Sequence, residues 1–289
     1  MILDVNSLYP SVMYYEKLPF GEPKYFKGKY ENDNVYDLYI QRIVLTHFKV
    51  KKNKIPTIQI KNNSSFLATE YLRECNKEVV LTLTNIDLKL FLEQYEYDDN
   101  DLEYIDGWKF RSKKGIFKDY IDKWITRKNE ATISKNSGQR QIAKLMLNSL
   151  YGKFATRLTA ISKNPYLEND IVHYRLGNEK DKKGLYLPIG SFITAYARNK
   201  TIRTSQGIMD YSIEKYGVNK YIYSDTDSIH CLLSIEELKK FCEIDDVKLG
   251  AWKHEGSFTK ARFVRQKCYI EEINRKVRNN VCRYAKAML

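Results

Sequence analysis

Histidine and cysteine are scarce in this chain, with four and five residues respectively among 289. Cys75, Cys231, Cys242, Cys268 and Cys282 are odd in number and scattered, without a C-x-x-C pair. That excludes a disulfide framework and a thiolate zinc site, and reduced thiols are expected. No apolar run approaches the roughly 18 residues that span a bilayer. The N-terminus lacks the basic start and apolar stretch of a signal peptide. The expectation is a soluble, cytoplasmic chain with no membrane partner. There is no G-x-x-x-x-G-K-[ST] loop and no G-x-G-x-x-G turn, and His254-Glu255 is followed by Phe258 where a zincin helix needs a second His. A P-loop, a dinucleotide fold and that metalloprotease are all disfavoured. Internal repeats and low-complexity linkers are also missing.

Aromatic and basic residues are plentiful instead. Twelve Phe, three Trp and 23 Tyr, with 43% hydrophobic residues, mark a chain that folds. Its length supports a full core and more than one subdomain. Lys and Arg number 49 against 36 Asp and Glu, a formal charge of +13. Such an excess favours a polyanionic partner, because neutralising phosphates releases counterions. Many basic soluble proteins have no such partner, so charge alone does not decide the matter.

The opening MILDV is an apolar run ending in an acid, and Pro10 at a first helical position predicts a short helix to about Tyr15. Alternation and β-branched residues predict strands near 43–50, 57–60 and 78–84. Thr84-Asn85-Ile86-Asp87 opens a helix to about Tyr95, with Asp87 complementing the helix N-terminus. An extended stretch at 102–111 leads to helices over 117–133 and 139–154, an αα-hairpin. Residues 157–187 carry Pro165, Gly177 and Gly184 as breakers and read as an exposed hairpin. A helix over 191–215 precedes a strand, a sharp acidic turn and a second strand over 220–233. Two further strands are expected over 258–273.

The strongest chemical signal is Tyr223-Ser224-Asp225-Thr226-Asp227-Ser228, two carboxylates at i and i+2 in a turn flanked by apolar strands. Residues two apart on an extended chain share a face, so both acids can converge on one point. Like charges held close repel unless a cation lies between them, and hard oxygen ligands suit Mg²⁺ or Mn²⁺ better than zinc. A plain hairpin with solvated turn acids fits the D-x-D pattern equally well. Asp4 ends an apolar strand at a tight turn, and two-metal phosphoryl transfer takes carboxylates from different segments. On the helix over 138–154, at about 100° per residue, Arg140, Lys144, Asn148 and Tyr151 fall on one stripe. The stripe reads as a triphosphate clamp with a ring for base stacking, or as the solvated face of an amphipathic helix. Ile142 and Leu145 lie off it and are expected to pack.

These residues spell a family. Asp4-Val5-Asn6-Ser7-Leu8-Tyr9-Pro10 resembles motif A of family B DNA polymerases, Lys144 to Gly152 with Asn148, Ser149 and Tyr151 resembles motif B, and Tyr223 to Ser228 resembles motif C. Lys267-Cys268-Tyr269 is similar to the K-x-Y motif that follows, and the order agrees. The segments between motifs A and B and between B and C resemble the two insertions of the protein-primed phage polymerases. The resemblance implies a right-hand polymerase fold of α/β (α+β) class, with an antiparallel-sheet palm and helical fingers. It implies palm at 1–56 and 188–274, insertions at 57–113 and 157–187, fingers at 114–156 and the start of a thumb at 275–289.

By the same resemblance Asp4, Asp225 and Asp227 are the catalytic acids. Asp4, Asp227 and the Val5 carbonyl would hold two Mg²⁺ ions, with Mn²⁺ as substitute. Leu8, Tyr9, Arg140, Lys144, Asn148 and Tyr151 would contact the incoming dNTP, and Thr226, Lys267 and Tyr269 the primer. The implied partners are template-primer DNA, dNTPs and a terminal protein that primes synthesis. The family carries an exonuclease domain upstream and a thumb downstream, so missing exonuclease and thumb segments are expected as partners too. Two rivals are a DNA-binding subunit that does not turn over alone and a reverse transcriptase. Adjacent aspartates would favour the latter, and Thr226 intervenes here. If the ring of Tyr9 packs under the sugar, Tyr9→Val raises ribonucleotide use relative to deoxyribonucleotide. An unchanged ratio of the two kcat/KM values, with both falling, would make Tyr9 a packing residue.

Overall fold

The computed structural model describes residues 1–60, 70–156, 158–182, 184–265, 267–273 and 276–280. In chain order the elements are β1 (Ile2–Val5), α1 (Leu8–Tyr15), β2 (Lys17–Lys27), β3 (Leu38–Leu45), β4 (Phe48–Val50), β5 (Gln59–Ile60), β6 (Glu70–Tyr71), β7 (Glu74–Cys75), β8 (Val79–Thr84), α2 (Asn85–Gln94), β9 (Tyr95–Glu96) and β10 (Leu102–Lys114). Then follow α3 (Lys118–Ile133), α4 (Ser137–Phe154), β11 (Thr159–Glu168), β12 (Ile171–Asp181), α5 (Leu187–Tyr216), β13 (Tyr221–Asp225), β14 (Ser228–Cys231), α6 (Ile235–Leu238), β15 (Trp252–Gly256), β16 (Phe258–Arg265), β17 (Cys268–Ile273) and β18 (Lys276–Asn280). Two compact units result, Met1–Lys118 with Phe192–Leu289, and Asp119–Ser191. Among the described residues no helix is long and apolar enough to cross a membrane. Cys75, Cys231, Cys242 and Cys268 are free thiols. Cys282 and most of the expected thumb start lie outside the described residues.

The first unit holds an antiparallel sheet in the order β13-β14-β1-β15 and another in the order β2-β10-β3-β8. In the second sheet Ile43, Leu45 and Leu81 face α2, whose Leu88 and Phe91 meet Phe48 and Tyr95 in one buried cluster. The α2 start is set as expected: the Thr84 hydroxyl accepts from the Asp87 N–H at 3.1 Å. The single strand expected at 43–50 is two, because Thr46 and His47 turn aside to bind the Asp101 carboxylate. β2 went unread because Pro19, Gly21 and Pro23 look like breakers. It is an edge strand, where a missing N–H leaves no central ladder bond unmade.

α5 is buried along much of its length, at Phe192, Ile193, Ala195, Ile202, Ser205, Ile208 and Ser212. It begins at Leu187, four residues before the expected start, with Pro188 in its first turn, where a missing N–H breaks no intrahelical bond. Likewise α1 begins at Leu8, so Pro10 is its third residue and not its first.

In the second unit α3 and α4 form the αα-hairpin, and Tyr120 Oη donates to the Met146 carbonyl at 2.9 Å. Asn136 caps α4, accepting from the Gln139 N–H at 3.0 Å. The expectation that Ile142 and Leu145 pack is wrong: both are exposed, and Ala143 and Leu147 are the buried pair. Those two lie about 40° apart around the axis and on the other side of the stripe from Ile142. β11 and β12 make the exposed hairpin expected at 157–187.

Glycine is required at position 250. Gly250 has φ +78°, and a Cβ there would stand 2.8 Å from Ser11 Cβ in α1. Gly250→Ala therefore meets both a left-handed backbone and a clash, and should destabilise by about 1–3 kcal/mol. A urea midpoint unchanged from the parent would show that α1 shifts freely at this contact.

Candidate active site

β1 lies between β14 and β15, and cross-strand pairs in a sheet share a face. Asp4 is opposite Ser228 on one side and Lys253 on the other, while Ser228 is also opposite Asp225. A row Asp225–Ser228–Asp4–Lys253 thus crosses the sheet. Ile2, Leu3 and Val5 are buried around Asp4, which anchors the strand. The Val5 N–H donates to the Asp227 carbonyl at 2.8 Å, so the backbones of the first and second acidic segments touch. After the acid, Asn6 is clamped: its N–H reaches the Ala251 carbonyl, its carbonyl accepts from the Gly250 N–H, and Nδ2 donates to the Asp245 carbonyl at 2.8 Å.

Three turns here hold non-glycine residues at positive φ: Ser7 at 55°, Thr226 at 54° and Lys267 at 58°. For β-branched Thr226 this is a strained conformation, and strain of this kind collects at functional sites. The turn is held from α5, where Thr201 Oγ1 donates to the Thr226 carbonyl at 2.7 Å. Thr226 Oγ1 in turn donates to Asp225 Oδ1 at 3.1 Å.

The Lys267 ammonium grips both oxygens of Asp225, at 2.9 and 2.7 Å, and its N–H donates to Tyr223 Oη at 2.9 Å. Asp225 therefore has a cation within the protein. Asp227 is placed otherwise. Burial pushes its carboxyl above the ordinary range against a lowering by the hydrogen bond from its own backbone N–H, and the charges of Asp225 and Glu255 add to the rise while Lys267 opposes it. Glu255 was missed from the sequence because it lies at the bulge where β15 slips against β1, outside any motif.

Of the other expected residues, Leu8 is in the core, so only its backbone is available to a nucleotide. Tyr269 is 7% exposed, its ring centroid 5.5 Å from that of Tyr223 and 5.1 Å from that of Phe263. Arg140, Lys144 and Asn148 are exposed on α4 in the second unit, and Tyr151 is half-buried. A groove of about 1040 Å³ runs along β13, lined by Lys51, Lys52, Lys54 and Arg73 together with Tyr71, Tyr221 and Tyr223. Cations interleaved with aromatic rings suit a single-stranded nucleic acid, its phosphates on the cations and its bases on the rings.

Residues 1–242 match the family model for DNA polymerase type B, organellar and viral. The chain belongs to that family. It is 48% identical over 276 residues to the DNA polymerase of Bacillus phage Nf, covering 94% of this chain and 45% of the relative. To the DNA polymerase of Bacillus phage phi29 it is 45% identical over 277 residues, again covering 94% and 45%. A solved phi29 DNA polymerase complexed with primer-template DNA and incoming nucleotide matches over 100% of this chain and 52% of its own, at 40% identity and a TM-score of 0.86. The chain spans about half the length of these relatives, and its mixed α/β architecture with antiparallel sheets is theirs.

In this type B polymerase chain the raised Asp227 pKa has a sign that can be tested. A carboxyl raised above its unfolded value favours the fold while protonated, and that contribution is lost as pH rises through the folded pKa. At neutral pH without divalent ions, ionised Asp227 is then a liability, and Asp227→Asn should raise the melting midpoint in EDTA. A lowered midpoint in EDTA would mean that the carboxylate is stabilised within the protein.

Proposed function

We propose that this chain carries out template-directed DNA synthesis. The primer 3′-oxygen bonds to the α-phosphorus of a dNTP, the bond from that phosphorus to the α–β bridging oxygen breaks, and pyrophosphate leaves. In this reading 1–56 and 188–274 are palm, 57–113 and 157–187 insertions, and 114–156 fingers. The observation that carries it is the juncture of β1 and the β13–β14 turn, which brings Asp4 and Asp227 onto touching backbones.

The donor set fits a hard divalent cation. Asp227 is a carboxylate whose burial and like-charged neighbours call for a counter-ion. Among the described residues no group of three or more His, Cys, Asp or Glu side chains is assembled as a metal cage. Mg²⁺ takes oxygen ligands and keeps waters and substrate phosphates among them. Asp4, Asp227 and the Val5 carbonyl would hold the ions, two Mg²⁺ or Mn²⁺, which when bound activate the 3′-oxygen and offset charge on the leaving group. The protein's own work is placement. Asp225, tied to Lys267, orients the primer-side residues Thr226, Lys267 and Tyr269. Tyr9 and the backbone at Leu8 line the sugar, and Arg140, Lys144, Asn148 and Tyr151 bind the triphosphate and nascent pair. The groove along β13 takes single-stranded DNA. By likeness to the protein-primed phage polymerases, a terminal-protein hydroxyl can replace the primer end.

Primer extension by the chain with Mg²⁺ tests this directly. Asp227→Asn and Asp4→Asn should each lower incorporation by about a thousandfold or more while leaving duplex binding within about twofold, since most phosphate contacts lie elsewhere. Asp225→Asn should be less severe. Normal extension by either of the first two variants would overturn the assignment.

A further inference from the structure

The sheet β16-β17-β18 shares no strand pairing with β13-β14-β1-β15 among the described residues, so beyond the one-residue link at Ser257 between β15 and β16, side chains set the position of one against the other. On β17 Tyr269 and Glu271 alternate onto one face, and Lys267 lies in the turn just before the strand. Each meets the acid-bearing sheet: Lys267 grips Asp225, the Tyr269 ring lies 5.2 Å from that of His230, and Glu271 Oε1 is 2.6 Å from His230 Nδ1. The first contact is exposed and open to screening by salt. The second is ring packing with little directional demand. The third is different in kind. His230 and Glu271 side chains are 2% and 0% exposed, walled by Phe258, Phe263 and Tyr269 around the imidazole.

This pair is poorly built for stability. His230 Nε2 and Glu271 Oε2 are buried without a hydrogen-bond partner. Burial pushes the imidazole down to about 4 and the carboxyl upward. A buried polar pair is often no better than apolar residues of the same volume, and its best-attested use is to fix register. A one-residue slip of β17 would turn Tyr269 and Glu271 to the open face that carries Ile270, displace the turn that holds Lys267, and leave His230 unpaired in a dry site.

We propose that the buried His230–Glu271 pair is a positioning device that seats β17, itself laddered to β16 and β18, against β14 and so holds Lys267 and Tyr269 at the primer end. The proposal rests on reading those two residues as primer-binding. Single apolar replacements would only leave a buried partner unpaired, so the decisive variant is His230→Phe with Glu271→Leu, which removes both polar groups together. It should fold with a melting midpoint near or above the parent's. Its Kd for primer-template should rise about tenfold, with brighter fluorescence from 2-aminopurine at the primer 3′ end and a KM for dNTP within about twofold. The amide pair His230→Gln with Glu271→Gln keeps a directional contact and should bind primer within about twofold of the parent.

A folded apolar double variant with the parent's Kd would overturn the proposal. So would a folded amide pair that loses about tenfold, which decides the matter even if the apolar variant does not fold. Lys267→Ala separates the underlying reading. If it too leaves primer Kd and 2-aminopurine signal unchanged, the primer-binding assignment fails, whatever the double variants do.

Discussion

One backbone hydrogen bond, from the Val5 N–H to the Asp227 carbonyl, joins two segments more than 200 residues apart in sequence, and the placement of Asp4 beside the acidic turn depends on it. Strand pairing fixes which side chains share a face. Once β1 is seated between β14 and β15, Asp4 has one place to be. Ile2 is buried on the face it shares with Asp4, and Leu3 and Val5 on the other, so a slip of one residue would carry the acid to the face where Leu3 and Val5 are fully buried. The clamp on Asn6 and the Gly250 contact with α1 then bend the chain away at once after Val5. Rigid neighbours are what allow a short strand to carry a precise site.

Charge is distributed unequally over the acids, and this separates their roles. Asp225 has Lys267 on both oxygens, so it is compensated within the protein and couples the acidic turn to β17. Asp227 faces burial and two like charges, opposed by a hydrogen bond from its own backbone N–H and by the same lysine. The positive φ at Ser7, Thr226 and Lys267 belongs to the same economy, because each is a backbone conformation that persists only where surrounding contacts over-determine it.

Local structure was legible in the sequence wherever pattern and element coincide. The acidic turn lies between two apolar strands, the capped start of α2 carries its own Thr-x-x-Asp signal, and the hairpin at 159–181 is bracketed by turn residues. What failed to show needed tertiary information. β2 hides behind prolines that an edge strand accommodates. The strand expected at 43–50 breaks because Thr46 and His47 prefer the distant Asp101. The packing face of α4 was misread because its small buried Ala143 is less conspicuous than the exposed Ile142 and Leu145. Glu255 carries no motif, and only the β15 bulge brings its charge to Asp227.

His230 and Glu271 extend that distinction between legible and hidden. In sequence they are 41 residues apart, one an unremarkable strand histidine after the D-T-D-S turn, the other an acid just past K-C-Y. Periodicity gives each a face and nothing more. Burial supplies the rest: a charged side chain is rarely placed in a dry layer unless a partner awaits it, and the two found here span sheets that no backbone ladder joins among the described residues. A motif records residue types at fixed spacing along the chain. A buried pair between two sheets answers to geometry instead, and this one lies beside the motifs and deeper in the core.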